Sequence, residues 1–316
     1  MTTLADLAEL VRAPAALSVP GDVVAGAAAA GALGPRTPAL AGASVLLYWA
    51  GMAANDWADR GLDAVERPER PIPSGRITPA AAVGLAAGLT AAGVGLAAVA
   101  GGRRAAALAV PLAATIWGYD LLAKNTAAGP AVMAACRGLD VLLGASGGRL
   151  TRALPAAVTV AAHTWTVTAL SRREVSGADA ALPMRTLAGT ALVAASAAIP
   201  HARRVTARAA DRSEATTQGP ADEVGAGAGR TRWARVAAVL PAVLAGWYAA
   251  RYGAAQAEVI RDPSAGRVRA AVGAGITGLP ALQGALTARG GAGLLGVAVA
   301  AAAPLGRRLA RKVSPT

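Results

Sequence analysis

Ten apolar stretches alternate with polar connections along the chain, at residues 15–34, 38–56, 79–101, 105–122, 128–148, 153–171, 183–200, 234–252, 268–288 and 290–306. Some carry no ionisable side chain, and several approach the roughly 20 residues a helix needs to span a bilayer. Glycine and alanine spread through them permit the close helix approach used between membrane helices. The pattern predicts an all-α polytopic membrane bundle, with nine or ten transmembrane helices around a central cavity and a single domain over 1–316. Two connections are long. Residues 57–78 are densely charged, and 201–232 are rich in Ser, Thr, Gly, Pro and charge, which predicts a polar inter-helix loop, disordered at 211–229.

Composition points to the same solvent. A chain 54% hydrophobic and 16% charged, with a mean hydropathy of +0.44, is too apolar for an ordinary soluble domain. The net charge of +13 is carried by arginines scattered through loops and by Arg307, Arg308, Arg311 and Lys312. No aromatic platform accompanies them, so the charge predicts contact with an anionic lipid leaflet and no nucleic-acid partner. With the N-terminus inside, the loops at 57–78, Lys124 and Arg172–Arg173 and the stretch 251–269 face the cytoplasm, as the positive-inside rule asks. The expected location is the cytoplasmic (inner) membrane, with an active site facing the cytoplasm. The loop 201–232 conflicts with this scheme, falling outside despite six arginines. The single cysteine, Cys136, excludes an internal disulfide and any multi-Cys metal site.

The charge of 57–78 changes the picture most. Asn55, Asp59 and Asp63 are spaced i, i+4, i+8, with Asp56 three residues before Asp59, so a helix continuing out of the second segment carries one acidic stripe. Stacked carboxylates repel unless a cation sits among them, and hard oxygen ligands suit Mg²⁺ completed by phosphate oxygens. Arg67, Arg70 and Arg76 follow on a Pro-rich loop, within reach of the same phosphates. The competing reading is a solvated loop whose acids and arginines pair with one another.

The string NDxxDxxxDxxxxRPxRPIPSG closely resembles the first aspartate-rich motif of the UbiA superfamily of intramembrane prenyltransferases. Tyr119-Asp120-Leu121-Leu122-Ala123-Lys124 resembles the family's Tyr and Lys signature, and Arg12-Ala13-Pro14 resembles its opening. The resemblance implies that Asn55, Asp56, Asp59 and Asp63 bind Mg²⁺ chelating a polyprenyl diphosphate, that Arg67, Arg70 and Lys124 assist its phosphates, and that Arg12 and Tyr119 touch substrate. The implied activity is transfer of a prenyl group to a small or lipid acceptor with loss of pyrophosphate.

The chain departs from the family pattern at the second acidic motif. The equivalent stretch runs from Leu170 through Ser171, Arg172, Arg173 and Glu174 to Asp179. Only Glu174 keeps the register, while Ser171 and Ala178 replace acids and Asp179 falls one residue late. Either Arg172 and Arg173 replace the missing metal charge at a leaving diphosphate while Glu174 keeps one metal contact, or the site binds a lipid phosphate without reaction.

Arg137 and Asp140 lie one turn apart inside an apolar segment, where isolated charge is costly, so they are expected to pair and face a polar cavity, either to bind the acceptor or as a salt bridge that only fixes helix packing. Asp22 interrupts the first segment and is expected to face the same cavity. Trp117, Tyr119 and Trp165 are the candidate aromatic faces for a carbocation, with interfacial anchoring as their alternative role. His163 reads as a packing residue. A phospholipid-type phosphotransferase lacks its acidic motif here, and a non-catalytic lipid-binding or transport protein is the remaining alternative. The acceptor, prenyl length and oligomeric state are not encoded in any motif.

Overall fold

A computed structural model describes residues 2–13, 18–179, 181–199 and 224–302, and every structured element among them is helical. In chain order these are α1 (Leu4–Leu10), α2 (Pro20–Ala30), α3 (Thr37–Ala58), α4 (Arg60–Glu66), α5 (Pro79–Gly118), α6 (Gly129–Gly144), α7 (Leu150–Ser171), α8 (Ala181–Ala198), α9 (Val224–Arg261), α10 (Ala265–Arg289) and α11 (Gly293–Ala302). Proline opens α2, α3, α5 and α6 in the first turn, where its missing N–H costs nothing.

Three helical stretches among the described residues are long and apolar enough to cross a membrane: Thr37–Ala58, Pro79–Ala123 and Leu150–Ser171. The middle one is a hairpin. Gly102 sits at φ 68°, ψ −160°, a conformation only glycine adopts without strain, and the chain reverses there. The reversal lets Trp117 Nε1 donate to Thr90 Oγ1 at 3.0 Å across the two arms. The expected segments 79–101 and 105–122 are therefore separate arms of one continuous run. Elsewhere the boundaries move. Helix α2 has only 11 residues, shorter than the expected 15–34, and α9 begins at Val224, so residues 224–232 of the expected loop are helical. The rest of that loop, residues 201–223, lies outside the described residues.

Two apolar clusters organise the bundle. One joins α2, α3, α5 and α6 through Leu40, Leu47, Leu112 and Leu143, and the other joins α6 to α10 through residues such as Leu170, Tyr248, Tyr252 and Leu282. Alanine is the commonest buried residue in each, which lets the helices approach closely. At the α2–α6 crossing, a Cβ on Gly26 would lie 1.8 Å from the Val141 carbonyl oxygen, and one on Gly144 would lie 2.0 Å from that of Val23. Only glycine fits either side.

A candidate active site at the end of the hairpin

The last turn of α3 carries Asn55 and Asp56, and Asp59 joins it to α4, which carries Asp63. The helical path continues through the junction, because Asp63 N–H donates to the Asp59 carbonyl and Arg67 N–H to that of Asp63, both at 2.8 Å. The acidic stripe expected from spacing is thus formed. Each of its carboxylates meets a cation. Asp56 Oδ1 accepts from Arg12 at 2.8 Å and from Arg70 at 3.3 Å, Asp63 Oδ2 from Arg70 at 2.7 Å, and Asp59 Oδ1 from Lys124 at 2.5 Å. Lys124 Nζ also reaches Asn55 Oδ1 at 3.1 Å. Arg12, Arg70 and Lys124, far apart in sequence, converge on one stripe.

Lys124 arrives there because α5 ends in a π turn, Tyr119–Ala123, closed by the Lys124 N–H bond to the Tyr119 carbonyl at 2.9 Å. The added residue per turn changes the helical phase, a device found often at functional sites. Asp120 is buried with it, at 7% exposure, and its Oδ2 would lie 3.2 Å from a Cβ on Gly51 of α3. Asp120 lines a cavity of about 230 Å³ with Arg12, Asn55 and Tyr119. It makes no hydrogen bond among the described residues. It lies inside the Tyr and Lys signature, to which the resemblance assigns no role at this position. The mark it carried was an acid inside an otherwise uncharged run.

A second cavity of about 390 Å³ adjoins the first and shares Tyr48, Met52, Tyr119 and Met133 with it. It is mostly apolar and runs from Ser171 and Glu174 at the end of α7 down to His163 and Arg137. Its aromatic wall is Tyr48, Trp49 and Tyr119. Of the three aromatics expected from sequence only Tyr119 is there. Trp117 packs against the cluster of Leu10, Ala53, Ala54, Ile72 and Ile77 and donates to Thr90, and Trp165 is 42% exposed. His163 faces the cavity, but its Nδ1 is 2.8 Å from Tyr248 Oη, which fits the packing role expected of it.

The second cluster is split. Glu174 faces the cavity, and burial raises its carboxyl above the usual range, an effect that Arg269 partly offsets. Arg172 Nη1 donates to the Thr126 carbonyl, so it rests on the loop that carries Lys124. Arg173 is exposed. Asp179 caps α8, its Oδ1 accepting from Leu182 N–H at 2.8 Å, and contributes nothing to the cavity.

Two expectations need correction. Arg76 does not point at the phosphate region, because its side chain is committed to Asp6, Glu9, Ser74 and the Glu69 carbonyl. Arg67, by contrast, is exposed and holds no ion pair among the described residues, and its phosphate role stays a proposal. Inside the bundle, Arg137 Nε pairs with Asp22 at 2.8 Å, while Asp140 accepts from Ser44 Oγ and its other oxygen has no hydrogen-bond partner. Arg137 and Asp140 share a helix face, but Asp22 of α2 lies closer to the guanidinium. Gln283 of α10 fixes that arrangement, donating to Asp22 Oδ1 and to the Ser18 carbonyl, both at 2.7 Å.

Among the described residues no three His, Cys, Asp or Glu side chains converge as a preformed metal cage. The donor chemistry nevertheless fits a hard divalent cation. Asn55, Asp56, Asp59 and Asp63 offer only oxygen toward it, and the hydrogen-bond-free carboxylate of Asp120 borders the same cavity as Asn55.

An all-helical bundle with spans long and apolar enough to cross a bilayer, and an acidic and basic cluster at one end of its hairpin, defines an integral membrane protein class. The chain belongs to the UbiA prenyltransferase family, whose model matches residues 18–255. Two solved structures share the fold: one described as digeranylgeranylglyceryl phosphate synthase in membranes, with a TM-score of 0.64, 14% identity and coverage of 90% of this chain and 97% of that chain, and a UbiA homologue from Aeropyrum pernix K1, with a TM-score of 0.58, 19% identity and coverage of 89% and 96%. Shorter stretches are similar to proteins named digeranylgeranylglyceryl phosphate synthase. The match is 57% identical over 49 residues in Methanothrix thermoacetophila, covering 15% of this chain and 18% of that protein. In Natronomonas pharaonis it is 41% identical over 85 residues, covering 26% and 31%. These matches span under a third of either relative's length.

Proposed function

We propose that the protein transfers a prenyl group from a polyprenyl diphosphate to a lipid acceptor in the cytoplasmic membrane, with the reacting end facing the cytoplasm. The observation that carries this reading is the convergence of Arg12, Arg70 and Lys124 on the Asn55–Asp63 stripe, whose Asn55 and Arg12 line the smaller cavity that adjoins the larger apolar one. Each of these cations is held by a carboxylate and can turn toward a diphosphate while staying in place. Mg²⁺ would be held by Asn55, Asp56, Asp59 and Asp63, with Glu174 of the adjoining cavity as a further oxygen ligand, and would supply charge neutralisation that makes the diphosphate a better leaving group.

The chain's own residues account for the rest. Lys124 and Arg70 donate to the diphosphate oxygens as the carbon–oxygen bond breaks and its electron pair departs with the pyrophosphate. Tyr48, Trp49 and Tyr119 present aromatic faces to the allylic cation left behind, and the apolar lining keeps water from it. The acceptor oxygen forms the new carbon–oxygen bond, and its proton passes to the departing pyrophosphate. The names of the relatives make a glycerol-phosphate lipid the first acceptor to test. One observation favours a second reading, a non-catalytic binder of isoprenoid phosphates: Ser171 and Ala178 replace acids, and Asp179 is spent on a helix cap.

The test is incubation of purified protein with radiolabelled geranylgeranyl diphosphate, Mg²⁺ and candidate acceptors. Pyrophosphate release and a labelled lipid product, both lost in Asp59→Ala, support transfer. Saturable binding without pyrophosphate release would overturn it in favour of the second reading.

A further inference from the structure

Arg76 spends all five of its guanidinium N–H groups on the protein. Nη1 donates to Asp6 Oδ1 at 2.8 Å and Glu9 Oε2 at 2.7 Å, Nη2 to Glu9 Oε1 at 3.1 Å and the Glu69 carbonyl at 2.6 Å, and Nε to Ser74 Oγ at 3.0 Å. Its own carbonyl accepts from Thr2 Oγ1 at 3.0 Å. The partners belong to two segments that are otherwise remote, α1 and the Pro-rich loop after the acidic stripe. Helix α1 is too short to hold itself in water, with seven residues and one capping box at Thr3 and Asp6. What fixes it is Arg76 on its polar side and Leu10, fully buried against Ala53, Ala54, Ile72 and Ile77, on its apolar side.

The chain leaving α1 turns sharply at Arg12, whose φ of 45° makes it the one non-glycine residue with positive φ among those described. Bulky residues avoid that conformation unless their surroundings impose it. Here the turn delivers the Arg12 guanidinium to Asp56 Oδ1 at 2.8 Å, on the carboxylate that Arg70 also touches.

We propose that Arg76 is a positioning residue: by clasping α1 to the loop 69–76 it holds Arg12 over the acidic stripe, ready to donate to the diphosphate. Arg76 never touches substrate. It acts through α1 and Arg12, and its loss releases the strained turn at Arg12 while leaving Arg70, Lys124 and the stripe in place. The assignment of the ligand rests on the prenyl diphosphate reading above, whereas the clasp itself does not.

The experiment therefore has two arms, both on the full chain in lipid nanodiscs. In the first, hydrogen exchange of residues 4–12 is compared between the unsubstituted protein, Arg76→Gln and the Asp6→Asn/Glu9→Gln double variant, without substrate. Exchange faster by tenfold or more in both variants is expected, and unchanged exchange overturns the clasp whatever the protein binds. The second arm measures KM and kcat for geranylgeranyl diphosphate. Loss of one charge-assisted contact corresponds to about a tenfold rise in KM, with kcat within about twofold. Arg12→Ala should raise KM similarly, and adding Arg76→Gln to it should change little further. A full second tenfold rise in the combined variant overturns action through Arg12. If the unsubstituted protein shows neither turnover nor diphosphate binding, the functional reading fails, and the first arm still decides the clasp.

Discussion

Lys124 Nζ lies 2.5 Å from Asp59 Oδ1, bridging the π turn at the end of α5 to the junction of α3 and α4. The two residues are 65 positions apart, and their meeting fixes the hairpin's end against the acidic stripe. In the reaction proposed above, a lysine ammonium so placed would turn from Asp59 to stabilise charge developing on the leaving oxygen.

Replacing Lys124 by Met keeps most of its volume and removes its charge. Loss of a single donor aimed at developing charge typically costs on the order of 10²–10³ in rate. Lys124→Met is expected to lower kcat by about that amount while the thermal unfolding midpoint stays within a few degrees. A kcat unchanged in Lys124→Met would remove Lys124 from the reaction.

Arg137 and Asp22 make the opposite kind of prediction, about stability. Both are buried inside the bundle, at 6% and 0% exposure, and pair at 2.8 Å. Truncating one partner of such a pair leaves a desolvated charge and costs about 3–5 kcal/mol, whereas replacing both costs much less. Arg137→Met is therefore expected to unfold at lower denaturant than the Arg137→Met/Asp22→Asn double variant. Equal losses in the two would mean that the pair is not what holds α2 to α6.

What could be read from the residues alone follows from this contrast. The acidic stripe was legible because one-turn spacing is a local property, and so was the hairpin, because uncharged runs and glycine are local too. The partner of Arg137 was not legible: sequence spacing favours Asp140 one turn away, and only the crossing of α2 over α6 brings Asp22 nearer. Arg76 misled for the same reason. A loop arginine beside a phosphate-binding motif looks like a phosphate ligand until α1 folds back with Asp6 and Glu9. The cavity aromatics Tyr48 and Trp49 were hidden in an apolar helix with no mark to set them apart from anchors.

The α2–α6 crossing can be tested by adding a single methyl. Gly26→Ala would place a carbon 1.8 Å from the Val141 carbonyl oxygen, and Gly144→Ala one 2.0 Å from that of Val23. Backbone cannot yield as a flexible side chain can, so each substitution should cost at least ~1–3 kcal/mol, as overpacking does. Gly88→Ala meets nothing within 4 Å and sits in a helix arm, so it should be neutral or stabilising by about 0.5–1 kcal/mol. Unfolding midpoints of the three variants in one detergent separate the outcomes, and equal midpoints would show that the crossing tolerates a side chain.

Two acids on the same side of the protein should respond to pH with opposite sign. Burial raises the Glu174 carboxyl above its ordinary value of 4.5, so the folded protein binds this proton more tightly than the unfolded chain does. Its ionised form costs stability at neutral pH, and that cost disappears as pH falls through the raised value. In metal-free protein the cost should vanish in Glu174→Gln and grow in Arg269→Met, which removes the offsetting cation, as read from the pH dependence of the unfolding midpoint. Asp6 behaves in reverse. Hydrogen bonds from Thr3, then from Arg76, lower it from 3.8 to about 2, so its contribution is complete above pH 3.8 and is lost as pH falls through about 2. The clasp on α1 should accordingly stay closed at pH 4.5, where Glu174 is already taking up its proton. Hydrogen exchange of residues 4–12, corrected for its intrinsic pH dependence, that rises between neutral pH and pH 4.5 would contradict this order.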